Sequence, residues 1–185
     1  MNLPNLVTVT RIILIPVFII LLVYGPVAWA LAAFSFAGVT DALDGYLARR
    51  LGEQTALGRF LDPLADKLLL NSAFVTMGVL GQFPIWLVVI VISRDVAITL
   101  GSLLIYLVHH GTVMAPTVFG KATTLSQLLL VVSQLVLMST GFAHPLHVPI
   151  LAVTAALTVV SGVHYIIRGV RFSGGSAMAK GTGRG

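Results

Sequence analysis

The sequence predicts an all-α integral membrane protein with six transmembrane helices and a short N-terminal interfacial helix. Hydrophobic residues make up 57% of the 185-residue chain, charged residues only 9%, and the mean hydropathy is +1.02. A helix needs about 20 predominantly apolar residues to cross a bilayer, and the chain has room for about six such helices. It contains no cysteine, which excludes disulfides and thiolate metal sites.

The apolar runs predict spans at residues 12–24, 27–50, 62–80, 84–108, 119–140 and 148–168. Glycine and proline mark the breaks, as at Gly25-Pro26 and between Gly141 and Pro149. Residues 1–11 predict the short interfacial helix, with Pro4 suited to its first turn. Residues 173–185 are rich in Gly and Ser and predict a disordered tail, which leaves residues 1–172 as one membrane domain.

The positive charges predict the topology. With the N-terminus inside, the three opposite loops hold no Lys or Arg, and the segments on the inner side hold Arg11, Arg49, Arg50, Arg59, Lys121, Arg168, Arg171, Lys180 and Arg184. The positive-inside rule then puts both termini on the cytoplasmic or matrix side of an inner membrane. This placement argues against a nucleic-acid partner despite the pI near 10.1. An alternative is a cleaved signal peptide ending near Ala28-Trp29-Ala30.

Four of the six acidic residues are aspartates near the end of the second predicted span and the start of the third: Asp41, Asp44, Asp62 and Asp66. Spacings of three and four place each pair on one helix face. Because the connecting loop is short, the second and third helices are expected to be antiparallel neighbours whose carboxylates converge. Charges in a membrane are costly and mark functional sites, and four carboxylates repel one another unless cations lie among them. Oxygen ligands favour Mg²⁺ or Mn²⁺, with Ca²⁺ also open, over zinc.

Simpler roles exist for each acid taken singly. Asp62 directly precedes Pro63 and has the features of a helix N-cap. Asp66 has Lys67 as a possible ion-pair partner, and Asp44 has Arg49 or Arg50. Four acids spaced together with Gly45 and Gly58 still favour a joint site. A glycine inside a helix costs about 1 kcal/mol relative to alanine and lets a ligand approach the backbone closely.

The full pattern is Asp41-x2-Asp44-Gly45-x2-Ala48-Arg49-x8-Gly58-x3-Asp62-x3-Asp66. It resembles the signature of the CDP-alcohol phosphatidyltransferases at every fixed position. Members of that family displace CMP from a CDP-linked lipid with an alcohol. The resemblance implies that Asp41, Asp44, Asp62 and Asp66 bind metal and that Asp66 is the catalytic base. It further implies that the CDP moiety is bound by Gly45, Ala48, Arg49 and Gly58, and that the protein is a homodimer.

Three cations outside this pattern predict the acceptor site: Arg11, Arg94 and Lys121. Arg94 lies inside a span beside Asp95, and we expect it to point towards an anion because adjacent helical residues do not face each other. The segments around these cations look like phosphatidylglycerophosphate synthases, which use glycerol 3-phosphate. Ile92-Ser93-Arg94-Asp95-Val96, however, looks closer to the cardiolipin synthases of the same family, which use phosphatidylglycerol.

The sequence therefore predicts a metal-dependent transferase that makes an anionic phospholipid from CDP-diacylglycerol. Glycerol 3-phosphate is the favoured acceptor and phosphatidylglycerol the alternative. A cation-coupled transporter is the alternative from another functional class. Against it, the acids cluster towards one membrane side, whereas transporter sites lie near the midplane between repeated halves.

Overall fold

The computed structural model describes the backbone of residues 3–51, 56–108, 118–141 and 145–181, and the side chains of residues 12–40, 67–102, 118–141 and 145–168. Within these ranges the regular structure is entirely α-helical, which confirms the all-α part of the predicted class. The six helices of the described chain are α1 (Leu3–Tyr24), α2 (Val27–Leu51), α3 (Ala56–Val79), α4 (Ile85–Val108), α5 (Val118–Thr140) and α6 (His147–Gly181).

Three of these helices are long and apolar enough to cross a membrane within the described ranges: Ile85–Ser102, Val118–Thr140 and His147–Arg168. The other three contribute shorter apolar stretches there, namely Ile12–Tyr24, Val27–Thr40 and Lys67–Val79. Large apolar side chains are exposed on all six helices, for example Ile20, Phe36 and Val89. Such a surface is typical of contact with lipid. Six complete spans remain a prediction.

Both ends of the chain differ from the expected layout. Helix α1 runs without a break from Leu3 through Pro16 to Tyr24, so no separate interfacial helix precedes residue 12 in the described part. Proline is tolerated within membrane helices because neighbouring groups satisfy the freed carbonyl. Helix α6 continues to Gly181, past the point where the sequence predicts a tail. The domain division at residue 172 stays a prediction.

The core lies where α1, α2, α3, α4 and α5 meet. Its largest members are Phe18, Phe34, Phe74, Met77, Leu87, Leu130 and Leu135. Over the described residues, α2 packs mainly on α1 and α5, and α3 packs mainly on α1 and α4. The expectation that α2 and α3 are direct neighbours concerns residues 41–66, whose side chains lie outside the described part, and it stays a prediction. Helix α6 packs on α4 and α5.

The turn between α3 and α4 shows why a glycine ends α3. Gly81 has a φ of 71°, a left-handed conformation that side chains with a Cβ adopt at a cost. In that conformation Gln82 N donates to Met77 O at 2.8 Å, and Gly81 N donates to Gly78 O at 3.0 Å. The reversal lets α4 return along α3 and brings Asp95 back towards Lys67.

Candidate active site

The four signature aspartates lie on two helices that a short link joins. Asp41 and Asp44 belong to the second half of α2, and Asp62 and Asp66 to the first half of α3. Their side chains lie outside the described residues. The link comprises residues 52–55, and five Cα steps span at most about 18 Å, so the end of α2 and the start of α3 are close in space.

The start of α3 bears directly on the role of Asp62. The helix begins at Ala56, six residues before Asp62. Asp62 is therefore inside the helix and does not cap its N-terminus, so the simpler role is excluded. Pro63 also lies inside α3, where it removes a backbone hydrogen bond at a cost of about 3 kcal/mol or more. Local sequence preference for a helix start at Asp62-Pro63 is thus overridden by the rest of the segment.

The predicted CDP-binding residues divide between the same two helices. Gly45, Ala48 and Arg49 belong to α2, and Gly58 to α3. The predicted acceptor residue Arg11 belongs to α1. The side chains of these positions lie outside the described residues. In the described part of the chain no group of three or more His, Asp or Glu is placed to hold a metal, and the metal role of the signature aspartates stays a prediction.

The structure corrects the prediction for Arg94. Its Nη1 donates to Asp95 Oδ1 at 2.7 Å, although the two residues are neighbours on α4. Its Nη2 donates to Ser161 Oγ on α6 at 2.8 Å. Adjacent helical positions point about 100° apart, yet the long arginine side chain is able to turn its planar end back to the carboxylate. Arg94 is 7% exposed and points into the bundle as predicted, but with Asp95 as its partner.

One nitrogen of Arg94 has no partner among the described residues. Arg94 Nε is buried and makes no hydrogen bond to the described residues. A buried donor without an acceptor costs about 1–3 kcal/mol. Three side-chain oxygens of the described part share this condition: those of Asn71, Gln127 and Gln134.

Lys67 connects α3 to the same carboxylate. Its Nζ lies 3.6 Å from Asp95 Oδ1, and its side chain is 27% exposed. Lys67 directly follows Asp66 in the sequence, which by itself suggests an ion pair with Asp66 alone. Asp95 thus contacts one cation from α3 and one from its own helix, and it joins the helix of two signature aspartates to α4.

Lys121 lies at the same height in the bundle as Ser161. The ring of Phe119 on α5 contacts that of His164 on α6, with centroids 5.4 Å apart. Helices α5 and α6 are antiparallel. Moving two residues forward from Phe119 to Lys121 and three residues back from His164 to Ser161 therefore shifts both positions in the same direction along the bundle, by similar distances. Lys121 is therefore level with Ser161, the residue that binds Arg94. Its side chain is exposed, whereas that of Arg94 is buried.

A second contact supports this alignment from the opposite end of the bundle. Gln134 Nε2 on α5 donates to Gln82 Oε1, just before α4, at 2.9 Å. Twelve residues separate Gln82 from Arg94, and thirteen separate Lys121 from Gln134. The two cations thus stand at similar distances along α4 and α5 from one shared contact, so the structure brings Arg94 and Lys121 to a common level.

The sequence reasoning missed a polar face of α6. Thr154, Thr158 and Ser161 are buried and recur every three or four residues along α6. Thr158 Oγ1 accepts a hydrogen bond from Gln127 Nε2 at 3.4 Å, and Ser161 accepts one from Arg94. Hydroxyls that face neighbouring helices join membrane bundles in this way. The spacing of these residues was the available signal.

Comparisons with known proteins point to one family. The sequence model described as CDP-alcohol phosphatidyltransferase matches residues 1–160. The chain is 39% identical to the CDP-diacylglycerol--glycerol-3-phosphate 3-phosphatidyltransferase of Bacillus subtilis, over 89% of this chain and 93% of that protein. It is 36% identical to a protein of Mycobacterium tuberculosis named "Probable phosphatidylglycerophosphate synthase", over 94% and 84% of the two chains. It is 33% identical to the human cardiolipin synthase (CMP-forming), over 89% of this chain and 61% of that one.

Proposed function

The chain belongs to the CDP-alcohol phosphatidyltransferase family, and from this membership we propose that it transfers the phosphatidyl group of CDP-diacylglycerol to glycerol 3-phosphate. The products are phosphatidylglycerophosphate and CMP. The relatives from Bacillus subtilis and Mycobacterium tuberculosis carry names for this reaction and align over most of both chains. The alternative of a cation-coupled transporter has no support from the comparisons.

The choice of glycerol 3-phosphate as the acceptor rests mainly on the environment of Arg94. Arg94 has a buried guanidinium with a donor left over, next to the helix that carries Asp62 and Asp66. A phosphomonoester bears a charge of about −1.5 to −2 at neutral pH, and arginine binds such groups through several N–H donors at once. Lys121, at the same level, adds a second positive charge, and Arg11 is proposed as a third. Glycerol 3-phosphate has the anionic group that these cations suit.

Each signature residue has a proposed role in this reaction. Asp41, Asp44, Asp62 and Asp66 would hold Mg²⁺ or Mn²⁺, which neutralises the pyrophosphate of the lipid substrate and stabilises the departing CMP. Gly45, Ala48 and Gly58 leave room for the CDP moiety beside the backbone, and Arg49 binds its phosphates. Asp66 removes the proton from the acceptor hydroxyl. The hydroxyl oxygen then bonds to the lipid-side phosphorus, and the bond between the two phosphates breaks.

A second candidate is the transfer to phosphatidylglycerol, which would give cardiolipin. The segment Ser93-Arg94-Asp95 favours it at the sequence level, and the human relative is named for that reaction. The headgroup of phosphatidylglycerol is a phosphodiester with one negative charge, so it needs fewer cations than glycerol 3-phosphate. The level shared by Arg94 and Lys121 therefore supports the phosphomonoester.

The membrane setting completes the proposal. We propose six spans with both termini and the active site on the cytoplasmic or matrix side, where CDP-lipid headgroups and glycerol 3-phosphate are within reach. The acyl chains stay in the lipid during the reaction. We further propose that the protein acts as a homodimer.

An acceptor panel tests this function. Purified protein in detergent receives labelled CDP-diacylglycerol, Mg²⁺ and one acceptor at a time: glycerol 3-phosphate, phosphatidylglycerol, serine or inositol phosphate. We expect CMP release and labelled phosphatidylglycerophosphate with glycerol 3-phosphate. Product with phosphatidylglycerol alone would establish the second candidate instead. No CMP release with any acceptor would contradict both.

A further inference from the structure

Asp95 is a buried carboxylate with two cationic neighbours on different helices. It is 3% exposed, lies 2.7 Å from Arg94 Nη1 and lies 3.6 Å from Lys67 Nζ. A buried charge is costly unless it is paired with good geometry. The contacts with Arg94 and Lys67 therefore fix the position of Asp95, and Asp95 in turn restrains both cationic side chains.

Arg94 is constrained at both of its terminal nitrogens. Of the five N–H donors of a guanidinium, one points to Asp95 Oδ1 and one to Ser161 Oγ. Because the group is planar, these two bonds on different helices determine its orientation as well as its position. The third nitrogen, Nε, is buried and has no partner in the described part of the chain. Because the plane of the group is fixed, the direction of the Nε–H donor is fixed as well.

We propose that Asp95 is a positioning residue for the acceptor: together with Ser161 it orients Arg94 towards the acceptor's phosphate, and through Lys67 it ties that guanidinium to the helix that carries Asp62 and Asp66. The inference rests on the proposed function, because the acceptor must carry a phosphate. Its consequence is that the distance between the acceptor's phosphate and the catalytic aspartates is set by a carboxylate that touches neither substrate.

This role and simple charge balance predict opposite effects for one substitution. If Asp95 only offsets positive charge, Asp95→Asn leaves more positive potential at the site, and the KM for glycerol 3-phosphate falls. If Asp95 orients Arg94, the same change weakens a charge-assisted hydrogen bond and removes the ion pair between Asp95 and Lys67. The KM for glycerol 3-phosphate then rises, by about tenfold or more. The direction of the change in KM separates the two roles.

Ser161→Ala provides a milder variant that removes only the second contact of Arg94. We expect it to raise the KM for glycerol 3-phosphate by about three- to tenfold, with the KM for CDP-diacylglycerol unchanged. Ser126→Ala is the matched control. Ser126 is also buried, but its hydroxyl donates only to Thr123 O within α5, at 2.8 Å. We expect this control to leave both KM values and kcat at their wild-type levels.

The decisive measurement is initial rates of CMP release at varied glycerol 3-phosphate, with unfolding temperatures of the same samples. A raised KM in Asp95→Asn and Ser161→Ala, with partial recovery in Asp95→Glu, supports the inference. An unchanged or lower KM in Asp95→Asn overturns it. If Asp95→Asn does not fold, an unchanged KM in Ser161→Ala overturns it equally. A wild type that uses only phosphatidylglycerol refutes the proposed function, and the KM comparison with that acceptor then decides the role of Asp95.

Discussion

The hydroxyl of Tyr165 on α6 lies 2.5 Å from Ser102 Oγ on α4. The ring of Tyr165 passes over Gly101, where an added Cβ would lie 3.1 Å from Tyr165 Cε1. This contact stands four residues along α6 from Ser161, the partner of Arg94. Helices α4 and α6 are therefore joined by two polar links in succession, of which only the first involves a predicted site residue.

The link between Tyr165 and Ser102 should contribute to stability without serving the reaction. We expect Tyr165→Phe to lower the free energy of unfolding by about 0.5–1.5 kcal/mol, since one hydrogen bond is lost. Thermal unfolding in detergent measures the change. Ser102→Ala should cost a similar amount, and the double variant should cost no more than either single one, because both remove the same bond. Additive losses would show that the two hydroxyls do not depend on each other.

Close packing of α3 on α4 depends on Gly78. A Cβ at this position would lie 2.8 Å from Val88 Cγ2, and valine has little rotamer freedom to move away. Alanine gains about 1 kcal/mol of helix propensity over glycine, but overpacking costs about 1–3 kcal/mol. We expect Gly78→Ala to lower the unfolding temperature. In a Val88→Ala background the same change should be neutral or stabilising, and a loss there would contradict the assigned contact.

The proposed base is tested by Asp66→Asn. Without the carboxylate the acceptor hydroxyl keeps its proton, and we expect turnover to fall by at least about 100-fold. Binding of CDP-diacylglycerol should stay within a few-fold of wild type, because the other three aspartates and the glycines remain. Rates of CMP release and equilibrium lipid binding measure the two effects. Full activity in this variant would remove Asp66 from the role of base.

Metal binding can be measured through the unfolding temperature as well as through activity. A chelator should abolish CMP release, and Mg²⁺ or Mn²⁺ should restore it. Because a ligand that binds the folded state stabilises it, added Mg²⁺ should raise the unfolding temperature of the wild type. The Asp41→Asn, Asp44→Asn double variant should lose this rise. A rise that persists in the double variant would place the metal elsewhere.

Lys121 should affect the acceptor and little else. Its exposed side chain is not part of the core, so we expect Lys121→Gln to leave the unfolding temperature unchanged. The KM for glycerol 3-phosphate should rise by about three- to tenfold with the loss of one charged hydrogen bond. Lys121→Arg should recover part of the affinity. If Lys121→Gln keeps the wild-type KM, Lys121 is not in the acceptor site.

Much of the helical layout follows from local pattern. Apolar runs as long as a membrane is thick, broken by glycine and proline, predicted α2, α4 and α5 to within a residue or so of their observed ends. Such runs are informative because a backbone in lipid must satisfy its own hydrogen bonds, which leaves the helix as the local solution. The signature that identifies the family is likewise contiguous in sequence.

Contacts between residues far apart in the sequence could not be predicted from local pattern. The pairing of Asp95 with Arg94 and Lys67, and the use of Ser161 sixty-seven residues away, depend on how α3, α4 and α6 are rotated and aligned. Spacing along one helix does not determine that rotation. Helix α3 shows the same limit, because a start at Asp62-Pro63 was favoured locally but the helix begins at Ala56.

The amino-acid sequence by itself determined the helical class, the order of the helices, the acidic signature and the reaction class, since each is encoded in consecutive residues. Only the tertiary structure decided that Arg94 is held by Asp95 and Ser161, that Lys67 shares the carboxylate, and that Lys121 stands level with them. The physical reason is that side-chain pairing in a bundle depends on the mutual register of helices, which the packing of all of them sets together.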